Sequence, residues 1–297
     1  MLEGKKKILI DTDLGDDVDD AAAIMMALHS AEFEIIGITT VFQNTEKRAE
    51  MVLDLCEKCG KKDIPVYAGH GKPLIERPSY EKEPIQYEIL EKKHVVNRKI
   101  SAVDFIIQSA TDIPGLTIVE MGAMTNLAMA FYKEPEIMEQ VNIIAMGGIF
   151  NQSIPEWNMK CDPEAARIVM DHAKHLIMFG LEITKFCALP ENILDDLYKE
   201  RKELIAYFLK GVEVFRDKTG YPVTLHDAIL IAYLLNPDIV KLKKSDYTIE
   251  LAGGMTRGGI VLKGNMYHLD MKTRKEFYFA ESIDITAFQK IVIERIS

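Results

Sequence analysis

The chain has 297 residues, 48% of them hydrophobic and 28% charged, with a formal net charge of −10. That length and composition support a sizeable core, and the acidic balance without a basic stripe excludes a protein built to grip a nucleic-acid backbone. No apolar run is long enough to span a bilayer, and only Ile8-Leu9-Ile10 separates the basic start at Lys5-Lys6-Lys7 from Asp11, too little for a signal-peptide core, so a cytoplasmic location is expected.

Taken in chain order, residues 7–10 read as a buried strand that runs directly into Asp11, Asp13, Asp16, Asp17, Asp19 and Asp20, with Gly15 to turn the chain between them. A helical pattern follows at 21–30, then a strand at 34–41 and a helix at 46–59. Cys56 and Cys59 lie on this helix one turn apart, close to its end at Gly60, so they read as helix residues rather than as a zinc or redox pair. Further strands are expected at 64–68, 116–121, 141–146 and 176–181, alternating with helices at 102–110, 126–133 and 163–172. The second half turns helical at 191–210 and 227–235, and late strands follow at 247–251 and 259–262 before a strand–helix pair within 277–294. This alternation predicts a single α/β domain over residues 1–297, a mostly parallel twisted sheet with helices on both faces. The polar stretch 69–97 is the least regular and is a candidate lid over an active site.

Ligands of such folds bind beyond the carboxyl ends of the strands, and the reactive side chains cluster there. Packed carboxylates repel one another, and a hard divalent cation with oxygen ligands relieves them best. An acidic helix start explains one or two aspartates but not this many. Asp11 is read equally as a direct metal ligand and as a turn-holding Asx residue, Asn126 as a helix cap, and Asp162, before Pro163, as an N-cap. His226 reads either as a buried structural histidine or as a functional one beside Asp227.

The ordered set Asp11-Thr12-Asp13-Leu14-Gly15, Thr39-Thr40-Val41 with Asn44, Met121-Gly122 with Thr125-Asn126, Met146-Gly147-Gly148, Pro155-Glu156-Trp157-Asn158, Asp162-Pro163-Glu164, Gly180 to Thr184 and His226-Asp227-Ala228 resembles the inosine–uridine preferring, calcium-dependent nucleoside hydrolases. The resemblance runs from Lys6 to about Leu230. It implies a Rossmann-like core and cleavage of a ribonucleoside to ribose and free base. It further implies a Ca²⁺ held by Asp13, a bidentate Asp20, Asp227 and the Met121 carbonyl, with one water and two ribose hydroxyls completing the shell. Asp13 would be the base acting on that water, and Asn44, Asn151, Glu156 and Asn158 would bond the ribose. His226 would assist the leaving nucleobase by proton donation or contact. A homodimer or homotetramer is implied as well.

Three departures stand out. The Gly15-Asp16-Asp17-Val18-Asp19-Asp20 loop is two residues longer than the family pattern, which makes Asp17 the alternative to Asp20 as the bidentate ligand. The stretch from Gly69 to Asn97, despite its His70-Gly71 pair, does not resemble the family's base-contacting loop, and His94 there is a weak substitute. Lys185 follows Thr184 where many members carry a histidine. Two other functions compete: a Mg²⁺-dependent phosphatase-type hydrolase with Asp11 as nucleophile and Asp13 as acid/base, and a ribose-binding protein that has lost turnover.

Overall fold

A computed structural model describes residues 4–75, 82–200, 202–263 and 276–296. The central sheet has eight strands, named here with a separate pair in chain order: β1 (Lys6–Thr12), β2 (Phe33–Thr40), β3 (Val66–Ala68), β4 (Thr117–Glu120), β5 (Asn142–Met146), β6 (His175–Phe179), β7 (Val240–Lys244), β8 (Tyr247–Ile249), β9 (Ile260–Leu262) and β10 (Glu276–Ile283). The spatial order is β3-β2-β1-β4-β5-β6-β10-β7, parallel throughout except for the antiparallel β10–β7 pair at one edge. The strands nearest the middle are apolar on both faces, Ile8, Leu9 and Ile10 being fully buried, as a sheet covered on both sides requires.

One face packs against helices Asp19–His29, Thr45–Lys58, Glu203–Thr219, Ala228–Leu235 and Ile285–Ile296. The other is covered by helices Ala102–Asp112, Thr125–Lys133 and Pro163–His172. The expected α/β architecture is therefore present, with three differences. The edge strand β7 had no expectation of its own: its Val-Lys-Leu-Lys-Lys sequence mixes few apolar residues with the lysines that protect a sheet edge. The helix expected at 191–210 is two helices, Glu191–Lys199 and Glu203–Thr219, because the chain is extended at Glu200 and Lys202. Neither Gly nor Pro marks that break. The late strands β8 and β9 pair with each other, antiparallel, outside the main sheet.

Of the expected lid at 69–97, residues 76–81 lie outside the described residues. The remainder is largely irregular, with one 3₁₀ turn at Tyr87–Ile89. Its segment around Gln86 is fastened to the aspartate loop: Gln86 N–H donates to Gly15 O (2.9 Å) and Gln86 Nε2 to Asp17 O (2.8 Å). Gly15 has φ +123°, and a Cβ there would lie 2.7 Å from Pro84 Cβ, so both conformation and close approach require glycine.

Candidate active site

The carboxyl ends of β1, β4 and β5 open onto a cavity of about 490 Å³, ample for a small-molecule ligand. Asp13, Asp16, Asp17, Asp19, Asp20, Met121, Asn158 and Asp227 are among its lining residues on the acidic side. Trp157, Leu181, Phe215, Thr219, Tyr221 and His226 line it as well.

Asp19, Asp20 and Asp227 form the centre of the acidic side. All three are buried, and each presents a carboxylate oxygen within 4.8 Å of the others. None of the three forms an ion pair among the described residues, and Asp227 Oδ1 has no hydrogen-bond partner. Burial first, then mutual repulsion, pushes Asp19 and Asp227 well above the ordinary carboxylate range. Burial likewise raises Asp20 to about 6, against a hydrogen bond from Thr12 Oγ1. Asp13, half-buried beside them, is raised by burial and then by the charge of Asp20. Gly122 lets the β4 end approach Asp13, since a Cβ on it would lie 3.2 Å from Asp13 Cβ and 2.6 Å from Val41. Buried, unpaired oxygen donors of this kind, with an orphaned carboxylate oxygen, fit a hard divalent cation.

The structure sorts the sequence-derived residues unevenly. Asp20 and Asp227 meet, and they meet Asp19, which the sequence reading had not selected. Asp17 lines the cavity outside that trio, its carboxylate accepting from Val18 N (2.6 Å), and burial raises it to about 7. Asp16 is also outside, paired with Arg48 (2.7 Å) and accepting from Ile85 N (3.3 Å). The Met121 carbonyl accepts Asn158 Nδ2 at 2.9 Å, so the Asn158 amide is committed to holding the β4 end. Glu156 lines the cavity, but its carboxylate caps the helix Trp157–Cys161, accepting from Asn158 N (3.0 Å) and Met159 N (3.3 Å) as well as from Gly148 N (3.0 Å). Asn44 and Asn151 do not line the cavity. Asn44 accepts from Lys47 N (3.1 Å) as the N-cap of helix Thr45–Lys58, and Asn151 is exposed.

Several other expectations are corrected. Asn126 is not a cap: Met124 holds that position, and the buried Asn126 amide bonds Asp11 Oδ1 (2.8 Å), Thr40 O (3.1 Å) and His70 N (2.9 Å). Asp11 is fully buried, held by Thr39 (2.7 Å) and Asn126, and does not line the cavity, so it cannot act as a phosphatase nucleophile. His94 bonds Asp54 on helix Thr45–Lys58 (3.0 Å), not the cavity, and substitutes for no base-contacting loop. Asp162 caps helix Pro163–His172 as expected, through Ala165 N (3.1 Å). His226 does line the cavity. Its Nδ1 lies 2.8 Å from Thr184 Oγ1, and burial lowers its pKa to about 4.

Residues 8–290 match the family model described as inosine-uridine preferring nucleoside hydrolase. The chain belongs to that family. A probable uridine nucleosidase of Arabidopsis thaliana is 30% identical across 98% of both chains. Among solved structures, a plant nucleoside hydrolase superposes with a TM-score of 0.86 at 26% identity, and a purine-preferring ribonucleoside hydrolase from Gardnerella vaginalis with 0.85 at 27%, each over 98% of both chains. Membership of the nucleoside hydrolase family makes this an N-ribohydrolase, an enzyme for the N-glycosidic bond of ribonucleosides. The family is metal-dependent, in keeping with the buried aspartate trio. Among the described residues no helix is long and apolar enough to cross a membrane.

The sequence signal that would have found Asp19 is its place beside Asp20 at the start of helix Asp19–His29, where an acidic residue also serves the helix dipole. The aromatic side has no such local signal. Phe215, Thr219 and Tyr221 reach the cavity only because helix Glu203–Thr219 ends there, with Gly220 left-handed at φ 71°.

Proposed function

We propose that the protein is a Ca²⁺-dependent hydrolase that cleaves ribonucleosides to ribose and free base, with Asp13 as general base. The observation that carries this reading is the buried trio Asp19, Asp20 and Asp227, with Asp227 Oδ1 unpartnered, in a cavity that also holds Asp13. Asp20, Asp227, Asp13 and the Met121 carbonyl would hold the ion, with Asp19 beside them. When bound, Ca²⁺ supplies a fixed seat for the ribose diol and a more acidic water.

The rest of the chemistry belongs to the chain. Asp13 accepts a proton from the attacking water as the water oxygen bonds to C1′ and the C1′–N bond breaks, its electron pair leaving with the base. Carboxylates around the sugar favour the positive charge that develops on the ribose ring in that step. Asn158, by holding the Met121 carbonyl, keeps the β4 end in register beneath the sugar. His226 is neutral at pH 7 with a pKa near 4, so it meets the leaving base by contact, and the proton the base needs comes from solvent. Trp157, Phe215 and Tyr221 offer aromatic faces to a planar base. Assembly as a homodimer or homotetramer and a cytoplasmic location belong to the same proposal.

The test is ribose release from purine, pyrimidine and nicotinamide ribosides, with Ca²⁺ and with chelator. Release that chelator removes and Ca²⁺ restores is the expected result. A protein that binds Ca²⁺ and ribose yet releases nothing from the whole panel would instead be the silent ribose-binding protein.

A further inference from the structure

We propose that Arg48 is a positioning residue of this site, locking the Asp13 loop to the left-handed turn at Phe42–Gln43 so that the acidic floor and the aromatic wall keep one geometry. The inference rests on the assignment of Asp13 to the active site, and on features that assignment does not use.

Arg48 sits in the first turn of helix Thr45–Lys58 and is fully buried. A buried guanidinium is tolerated only when its fork of N–H groups is answered. Here the answer comes from two loops about thirty residues apart in sequence. Nη1 donates to the carbonyls of Asp13 and Leu14 (2.9 Å to Leu14), and Nη2 to Asp16 Oδ2 (2.7 Å). On the other side, Nε donates to Phe42 O (2.9 Å) and Nη2 to Gln43 Oε1 (3.4 Å). The side chain thus holds the main chain at Asp13 itself rather than the Asp13 carboxylate.

The second loop needs holding. Phe42 and Gln43 adopt φ of 68° and 56°, consecutive left-handed residues where neither is glycine. Phe42 N–H donates to His70 O (2.8 Å) and Gln43 N–H to Gly71 O (2.7 Å), so the turn is fixed from the β3 side as well. Such conformations persist only where the surroundings over-determine them. The Phe42 ring meets Trp157 edge-on, with ring centroids 6.3 Å apart, and Trp157 lines the cavity. Through one planar group, the carbonyl of the proposed base and the support of an aromatic wall residue are set relative to each other. Lysine keeps the charge but has a single ammonium group in place of the fork, and cannot span both loops.

The experiment compares the parent, Arg48→Lys, Arg48→Lys/Gln43→Gly and Asp16→Asn by Ca²⁺ titration calorimetry and by steady-state kinetics at saturating Ca²⁺, with circular dichroism to establish folding. For Arg48→Lys the expected result is a loss in kcat of about 30- to 100-fold with KM within about threefold, the signature of misplacement rather than lost binding. Its Ca²⁺ dissociation constant should rise at least about fivefold although the charge is kept, because the Asp13 loop is no longer held in shape. Adding Gln43→Gly, which adopts the left-handed turn without strain, should return at least about threefold of the lost kcat.

A folded Arg48→Lys protein with kcat within about threefold of the parent overturns the proposal, and so does a loss that Gln43→Gly leaves untouched. Should Arg48→Lys not fold, Asp16→Asn decides: a fall in kcat of about fivefold with KM unchanged supports the lock, and unchanged kcat overturns it. A parent that binds Ca²⁺ but cleaves no riboside would sink the functional reading alone. The Ca²⁺ titrations would then still test Arg48.

Discussion

The acidic floor of the cavity and its aromatic wall are built differently. The floor comes from the ends of buried parallel strands and the loop after β1, where Asp19, Asp20 and Asp227 are almost wholly buried and Arg48, Asn158 and Asn126 bond the main chain beneath them. The wall comes from a helix C-terminus and a short helix; Phe215 is buried there, but Trp157 and Tyr221 remain largely open, 53% and 69% exposed. A floor with this many fixed bonds tolerates little change, whereas exposed wall residues change at small cost to stability. Ribose chemistry is therefore expected to reside in the floor and base preference in the wall.

The sharpest way to break that division is Asp13→Asn. As the proposed base it should lower kcat by about 10³-fold, within the usual range for general-base loss, while ribose affinity stays nearly unchanged. Ribose-release kinetics with a ribose-binding titration check it, and near-parental turnover would remove Asp13 from the base role. Next in size is the choice within the aspartate loop. Asp20→Ala should weaken Ca²⁺ binding by about 100-fold, an effect of the size seen when a ligand environment is broken, and Asp17→Ala by less than about fivefold. Calorimetry on both variants decides it, and the reverse order would make Asp17 the ligand.

The floor should also couple stability to pH. Asp20 near 6, Asp17 near 7, and Asp13, Asp19 and Asp227 higher than usual hold protons in the folded protein that the unfolded chain has already released. Folding of the metal-free protein then takes up protons, so its stability falls as pH rises from about 4, the unfolded value, through the folded values of Asp20 and Asp17 near 6 and 7, and the other three extend the fall in the same direction. Ca²⁺ replaces those protons and should stabilise more at pH 8 than at pH 5.5. At a hundred times its dissociation constant the ion adds about 2.7 kcal/mol, or roughly 5–10 °C in Tm. Thermal melts with Ca²⁺ and with chelator at the two pH values measure this. An equal shift at both would mean the cluster does not titrate with the metal.

The same division explains what was legible in the sequence. The parallel strands show as apolar runs, and the floor shows as aspartates directly after the first of them, because both are local in sequence. Asn44, Asn151 and Glu156 have the chemistry of ribose ligands, but sequence cannot say whether an amide points into a cavity or caps a helix, as Asn44 does. Arg48 carried no signal because a charged residue in an amphipathic helix ordinarily faces water, and its burial depends on two loops folding over it. Phe215 and Tyr221 were invisible for a similar reason. They reach the site because helix Glu203–Thr219 ends at the cavity, far in sequence from the aspartate loop.

Tyr221 gives the mildest test and the one most specific to the wall. If it contributes only an aromatic face to the base, Tyr221→Ala should raise KM about 5- to 10-fold, the effect of losing about 1–1.5 kcal/mol of stacking, and leave kcat within about twofold. The change should differ between purine and pyrimidine ribosides, since their bases present different areas to the ring, whereas Ca²⁺ affinity and Tm should not move. His226→Ala distinguishes wall from floor in the same assay. A histidine with a pKa near 4 is already neutral across the working range, so its loss should leave the shape of the pH–rate profile between pH 5 and 8 unchanged. Loss of a limb in that range would show instead that His226 carries a proton to the leaving base, and the catalytic machinery would then extend from the floor into the wall.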